Sequence, residues 1–327
     1  MIAIVIPVRN RQSCTRQVLT QLSAQIEKTN SKEEFAIVVV DDGSTDGTKA
    51  MVKQEFPEVH LIAGDGSLWW TGAIVKGMEY ALNKLNPKYL VWLNDDIFLK
   101  EDLIENLRNI CLSASYAEKI VGGIVRDKTY PDWIVYSGSN GLKPINDMSY
   151  FVDSEEIKVE DLCGNIVVIP RMICDRIGLP DATRLPHHGG DYEYIRRARK
   201  QGFQAILSSK LQADSDFQVS DFIRYMPYWM QWYFEPNLMK RWQILKGLAS
   251  LKFNQNVWVY VNLHSQNINS KNTPFWKYIF CYLNKTRNLL IIDFLPKKYL
   301  KQRVEKYFTT QAPPQAIIDT VMQKRKL

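Results

Sequence analysis

Paired cysteines, long apolar runs and histidines are scarce in this chain, and each shortage closes off a class of protein. The five cysteines, Cys14, Cys111, Cys163, Cys174 and Cys281, are odd in number and form no Cys-x-x-Cys. That excludes a disulfide framework and a zinc ligand set and points to reduced thiols. No apolar run approaches the roughly 18 residues needed to cross a bilayer. The first base, Arg9, follows the opening apolar run instead of preceding it. A secretory signal has the opposite order, so a cytoplasmic location is expected. No Gly-x-Gly-x-x-Gly follows that run, where Pro7-Val8-Arg9-Asn10 stands instead, which argues against a nicotinamide-binding oxidoreductase. Nor is there a zinc motif or an RNA-binding signature, so no nucleic-acid partner is expected. Of only four histidines, His187 and His188 are adjacent and ill-suited to share one tetrahedral metal site.

What is present is ordinary in bulk and uneven in distribution. With 46% hydrophobic and 24% charged residues, 327 residues suit one large domain and a smaller one. The net charge of +7 hides an asymmetry. Residues 217–327 hold 17 Lys and Arg against 5 Asp and Glu, so the remainder is mildly acidic. Two domains are therefore expected, 1–216 and 217–327, with different partners.

Residues 89–93, Tyr-Leu-Val-Trp-Leu, form an apolar run of the kind that a strand buried on both faces requires. Further strands are predicted over 2–8, 35–40, 59–63, 120–125 and 205–207. Helices are predicted over 13–28, 46–55, 73–85, 101–112, 171–177 and 192–201. Strand and helix alternate four times before residue 94, so a mostly parallel sheet flanked by helices is the economical fold.

Three acidic sites punctuate this pattern. Asp41-Asp42 and Asp95-Asp96 end predicted strands, and Asp191 opens a predicted helix. The carboxyl ends of strands are where open α/β sheets bind ligands. Adjacent carboxylates there repel unless a cation or donor groups compensate, which suggests a divalent metal holding a diphosphate. Singly, each site has a plainer explanation as a turn or helix cap. Their joint order on one framework is harder to explain that way.

At these residues the chain resembles the inverting, nucleotide-sugar-dependent glycosyltransferases of family 2, with the A-type (GT-A) fold. The resemblance runs over Pro7-Val8-Arg9-Asn10, Asp41-Asp42-Gly43-Ser44-Thr45-Asp46, Leu68-Trp69-Trp70-Thr71-Gly72-Ala73, Asn94-Asp95-Asp96, Cys163-Gly164 and Gly190-Asp191-Tyr192-Glu193-Tyr194. The Trp-Trp-x-Gly-Ala form is similar to a rhamnosyltransferase-like subgroup acting on surface polysaccharides. The resemblance implies transfer of a sugar from a UDP- or dTDP-type donor to a hydroxyl of a glycan or lipid-linked acceptor, with Mg²⁺ or Mn²⁺ as cofactor. It implies donor contacts from Pro7, Arg9, Asn10, Asp41, Asp42, Trp70, Gly72, Asn94 and Asp95. Asp96 would ligate the metal, with Asp214 as a further candidate ligand, and Asp191 would be the general base. Trp69, Gly164, His187, His188 and Gly190 would line the acceptor side. The alternative on the same fold is a catalytically inactive nucleotide-sugar-binding protein.

In residues 217–327, Trp229, Trp232, Trp242, Trp258 and Trp276 are interleaved with bases on helix-like segments. This texture fits contact with a membrane surface on the inner face of the cell membrane. It equally fits a helical subdomain that packs its tryptophans inward.

Overall fold

The alternating burial of β1 (Ile2–Val8) shows how the first unit is built. Ile2, Ile4, Ile6 and Val8 enter one apolar layer, and Ala3 and Val5 enter the layer on the opposite face. The same two-residue alternation divides β2 (Phe35–Asp41) and β4 (Tyr89–Leu93), so these strands are apolar throughout because both faces are covered. The computed structural model describes residues 1–264 and 273–323. The chain divides into two compact units, Met1–Pro186 with Gly190–Asp216, and His187–Gly189 with Phe217–Leu327.

In the first unit β3 (His60–Ala63) completes a parallel set with order β4-β1-β2-β3. Beyond β4 come β5 (Phe98–Leu99), β6 (Lys119–Asp127), β7 (Ile134–Tyr136), β8 (Gly138–Asn140), β9 (Lys143–Pro144), β10 (Glu156–Lys158), β11 (Asp161–Leu162), β12 (Ile166–Pro170) and β13 (Gln204–Ser215). The main sheet continues as β10-β13-β6-β12-β4, while β11, β8 and β9 make a small separate sheet. Pairing of β13 with β6 is parallel, but β12 runs antiparallel to both β4 and β6. The chain enters β12 from the short-stranded segment before it, without the helical crossover that a parallel neighbour needs.

One face is covered by α1 (Gln12–Lys28), α2 (Thr48–Glu55) and α4 (Leu103–Leu112), whose Leu19, Leu22, Val52, Ile104 and Leu107 join the first layer. The other face is covered by α3 (Trp69–Tyr80), α5 (Arg171–Ile177) and α6 (Gly190–Lys200) through Ile74, Met78, Ile173, Tyr194 and Ile195. A mostly parallel sheet between two helical layers is the A-type glycosyltransferase fold expected from the sequence.

The two largest boundary differences from the sequence expectation lie in α3 and in β13. Helix α3 starts at Trp69 instead of residue 73, with a π-helical turn, Ala81–Leu85, at its end. Strand β13 runs on to Ser215 past a register shift between Leu207 and Gln212, where polar Ser208, Ser209 and Lys210 interrupt the apolar signal.

The second unit contains α7 (Val219–Tyr225), α8 (Tyr228–Phe234), α9 (Leu238–Gly247), α10 (Val257–His264), α11 (Phe275–Ile292), α12 (Lys297–Gln311) and α13 (Gln315–Gln323). Trp232, Leu245, Leu248, Leu289, Ile292 and Leu300 form its apolar centre. Trp232 packs inward as an ordinary helical subdomain requires, but Trp242 and Trp276 are exposed.

Candidate active site

The acidic ends of β2 and β4 are held in two different ways. Asp42 is buried and accepts backbone N–H bonds from Gly66 at 2.8 Å, Leu68 at 3.2 Å and Trp69 at 3.1 Å. Three donors to one carboxylate compensate its burial and fix the turn that launches α3. Because that carboxylate comes from a strand 24 or more residues earlier, no local capping signal marks the start of the helix at Trp69. Trp69 adopts φ +57°, a left-handed conformation that costs a bulky residue of order 1 kcal/mol or more. Its neighbour Thr71 is anchored by N–H donation to the Pro186 carbonyl at 2.9 Å.

Arg9 ion-pairs with Asp42 at 3.6 Å and donates to the Gly66 carbonyl. Pro7 lies within β1 opposite Val40. Asn10, at φ +51°, accepts from Thr45 N–H at 2.7 Å, and its own N–H donates to Ser44 Oγ at 2.8 Å. Asp41 Oδ1 accepts from Ser44 N–H at 2.9 Å. The turn after β1 is thus bonded to the turn after β2.

Arg11 is the residue that the sequence reading left without a role. Its Nη1 lies 3.0 Å from Asp95 Oδ1 and 2.8 Å from Asp96 Oδ2, so one guanidinium bridges both carboxylates. Thr15 Oγ1 donates to Asp95 Oδ2 at 2.9 Å. Burial pushes Asp95 up to about 6, with Arg11 pulling it down and Asp96 adding to the rise. Burial opposes the charge on Arg11, but Asp96 and Asp95 together outweigh it and raise its pKa. The available signal was a base directly after the first strand of a sheet whose neighbouring strand ends in paired acids.

From β4 the site continues through aromatics to Asp191. Trp70 Nε1 donates to Asn94 Oδ1 at 2.8 Å, and Asn94 N–H donates to the Asn165 carbonyl at 3.0 Å. Behind them fully buried Trp92 lies between Trp70, edge-on at 5.7 Å, and Tyr194 at 5.4 Å. Gly72 sits on the first turns of α3, where a Cβ would lie 3.3 Å from that of Leu68. Gly164 and Gly190 are dictated by close approach. A Cβ on Gly164 would lie 2.4 Å from the Trp70 ring, and one on Gly190 would lie 2.4 Å from Thr71 Oγ1.

Asp191 occupies the first turn of α6, where the helix dipole favours a negative charge. Its Oδ2 accepts from Gly164 N–H at 3.0 Å and its Oδ1 from Tyr192 N–H at 2.9 Å. The side chain is half-buried, and desolvation raises its pKa to about 6 despite those N–H groups. Cys163 ties the ends of the site together. Burial raises its thiol pKa first of all, and the negative charges of Asp191 and Asp96 both add to the rise. The thiol donates to Asn165 Oδ1 at 2.9 Å.

The structure does not bring every expected residue into this cluster. Asp214 is engaged by Lys100 and, at 3.4 Å, by Arg126, so two bases answer its charge. His187 and His188 group with the second unit. Their rings lie 4.0 Å apart, tilted by 34°, and desolvation lowers the pKa of His188 to about 4 although the Lys252 carbonyl pulls it up.

The donor set fits a hard divalent cation that takes most of its ligands from elsewhere than the protein. Among the described residues no group of three or more His, Cys, Asp or Glu could hold a metal ion, so these residues offer no closed metal cage. Asp96, with 42% of its side chain exposed, suits a cation that draws its remaining ligands from phosphates and water.

Comparison with known proteins agrees with this architecture. The glycosyltransferase AglE of Haloferax volcanii is 23% identical over 213 residues, 63% of this chain, and the match spans 64% of that relative's length. GalNAc-T7, solved with UDP, GalNAc and Mn²⁺, superposes with a TM-score of 0.51 at 14% identity over 67% of this chain and 43% of its own. The mannosyltransferase PcManGT of Pyrobaculum calidifontis, solved with GDP-Man and Mn²⁺, gives a TM-score of 0.49 at 14% identity over 99% of this chain and 86% of its own. At 14% identity the likeness to GalNAc-T7 speaks to fold alone, and the PcManGT superposition, below a TM-score of 0.5, carries no argument. The sequence model of glycosyl transferase family 2 matches residues 3–177, more than half of the 327 residues, and the chain belongs to that family.

Proposed function

We propose that this chain is an inverting glycosyltransferase moving a sugar from a nucleotide diphosphate donor, UDP- or dTDP-linked, to a hydroxyl of a glycan or lipid-linked oligosaccharide in surface polysaccharide synthesis. The observation that carries the reading is the chain of contacts that links Asp191 through Gly164 and Trp70 to Asn94, which stands directly before Asp95 and Asp96. In a single displacement one carboxylate takes the proton of the attacking hydroxyl while the opposite side of the sugar faces the leaving diphosphate.

In this reading Asp191 is the base. Its two backbone N–H bonds orient the carboxylate, and its raised pKa gives it proton affinity closer to neutrality than an ordinary aspartate. Asp96 holds Mg²⁺ or Mn²⁺, with Asp95 reaching the ribose or the metal's water shell. A bound divalent ion would neutralise charge growing on the departing diphosphate. Three N–H groups already occupy Asp42, so Asp41 is assigned to the base and ribose of the nucleotide. Asp42 shapes the turn that presents Trp69 and Trp70, and Arg9, Asn10, Asn94 and Gly72 complete the donor side. Gly164 and Gly190 leave room on the acceptor side. We place the protein in the cytoplasm at the inner face of the membrane, where a lipid-linked acceptor is presented.

The test is a thermal-shift titration with UDP-, dTDP- and GDP-sugars, each with and without Mn²⁺. The reading expects metal-dependent stabilisation by at least one sugar nucleotide and by its nucleoside diphosphate. No stabilisation by any of them contradicts it.

A further inference from the structure

Helix α11 carries apolar side chains on its exposed side as well as on its buried one. Its inward side carries Cys281, Lys285, Leu289 and Ile292, with the Lys285 ammonium 4.3 Å from the Tyr228 ring and 4.7 Å from that of Tyr260. At 100° per residue, Trp276, Ile279, Phe280, Leu283, Leu290 and Phe294 lie on the opposite side of the helix and its exit. Trp276 is 62%, Phe280 66% and Phe294 87% exposed. Among the described residues, 15 of the 21 exposed large apolar side chains belong to the second unit, which concentrates them there instead of scattering them singly. An exposed apolar face of this kind, with Arg287 set into it, marks an interaction surface.

The surrounding charge selects the partner. Residues 275–292 contain no Asp or Glu, while Lys277 and Arg287 are exposed on the helix and Lys297 and Lys298 just beyond it. The nearest acid, Asp293, is taken by Arg241 at 2.8 Å and by Trp232 Nε1 at 3.2 Å. Two copies meeting on this face would bring like charges together with no acid to answer them. An anionic headgroup layer supplies that missing charge, and the boundary beneath it takes Trp and Phe rings. The helix does not cross a bilayer, because no helix among the described residues is long and apolar enough to do so.

We propose that the outer face of α11, with Lys297 and Lys298, seats this protein flat on an anionic lipid bilayer. This deepens the peripheral location given above and rests on that reading only for its biological setting, since the helix chemistry stands by itself. The measurement uses no sugar chemistry, so its failure and that of the transferase reading are distinguishable.

The full chain is floated with phosphatidylcholine vesicles, with and without phosphatidylglycerol, at low and high salt. Wild type is expected to float with the anionic vesicles and to be released by salt. Phe280→Glu with Leu283→Glu is expected to weaken binding more than about 10-fold. Lys297→Gln with Lys298→Gln is expected to weaken it about 30-fold. Both variants change exposed side chains, and unaltered thermal melting checks their fold. Absence of wild-type binding, or equal binding by the Glu variant, overturns the proposal. So does a wild-type dimer that the Glu variant converts to monomer, which would make the face a self-interface.

Discussion

The Gly164 N–H donates to Asp191 Oδ2 at 3.0 Å, on a turn where a Cβ would lie 2.4 Å from the Trp70 ring. One residue therefore holds the carboxylate and admits the indole. Gly164→Ala is expected to push Trp70 off Asn94 or to displace the turn. Overpacking of this kind costs about 1–3 kcal/mol. Urea unfolding reads the stability loss, and Trp70 fluorescence reads the displacement. A variant as stable and as active as wild type would contradict this picture of the turn.

Asp42 is the anchor of the segment that begins α3. Asp42→Ala leaves the N–H groups of Gly66, Leu68 and Trp69 without their acceptor. Hydrogen bonds to a charged group are worth about 1.5–3 kcal/mol, and the three are not additive. Hydrogen exchange should speed up at residues 66–69 before it does in β1 or β4. Uniform protection across these segments would count against the anchoring role.

Arg11 answers the charge of both Asp95 and Asp96. It is half exposed, so Arg11→Gln is expected to cost only about 1–2 kcal/mol without metal. Mn²⁺ with a nucleoside diphosphate should recover part of that loss, because a second cation then faces Asp96. Melting curves with and without the pair decide it. A loss that is the same in both conditions contradicts the assignment of Asp96.

The raised pKa of Asp191, about 6, fixes the direction of two pH effects. A base must be deprotonated, so kcat/KM should fall tenfold per pH unit below about 6. Stability runs the other way. The folded pKa lies above the unfolded one, so this group's favourable contribution is full below about 3.8 and lost as pH rises through about 6. Asp191→Asn should therefore be no less stable than wild type at pH 8. An acid limb near pH 4 in the rate profile would contradict the environment described for Asp191.

Much of this was legible in the sequence. The apolar runs of β1, β2 and β4 and the acids that end them follow from burial on both faces, and a two-residue alternation into separate layers needs no further information. What stayed hidden depends on contacts distant in sequence. Helix α3 begins early because a carboxylate from another strand binds its first N–H groups. Arg11 reads as one polar residue among several until Asp95 and Asp96 fold against it. The partners of Asp214 were hidden too, because nothing in its neighbourhood of sequence announces Lys100 or Arg126. The direction of β12 was equally out of reach, since an apolar pentapeptide does not encode which way it runs.

The central claim is that the Asp191 carboxylate takes the acceptor's proton, and Asp191→Asn tests it most directly. Turnover and donor affinity are measured on the same preparation, the first with an active donor and acceptor and the second by calorimetry with Mn²⁺. The account predicts that kcat falls by about 10²–10⁴-fold while the donor binds as tightly as before. Wild-type turnover in that variant, or a loss confined to donor binding, would contradict it.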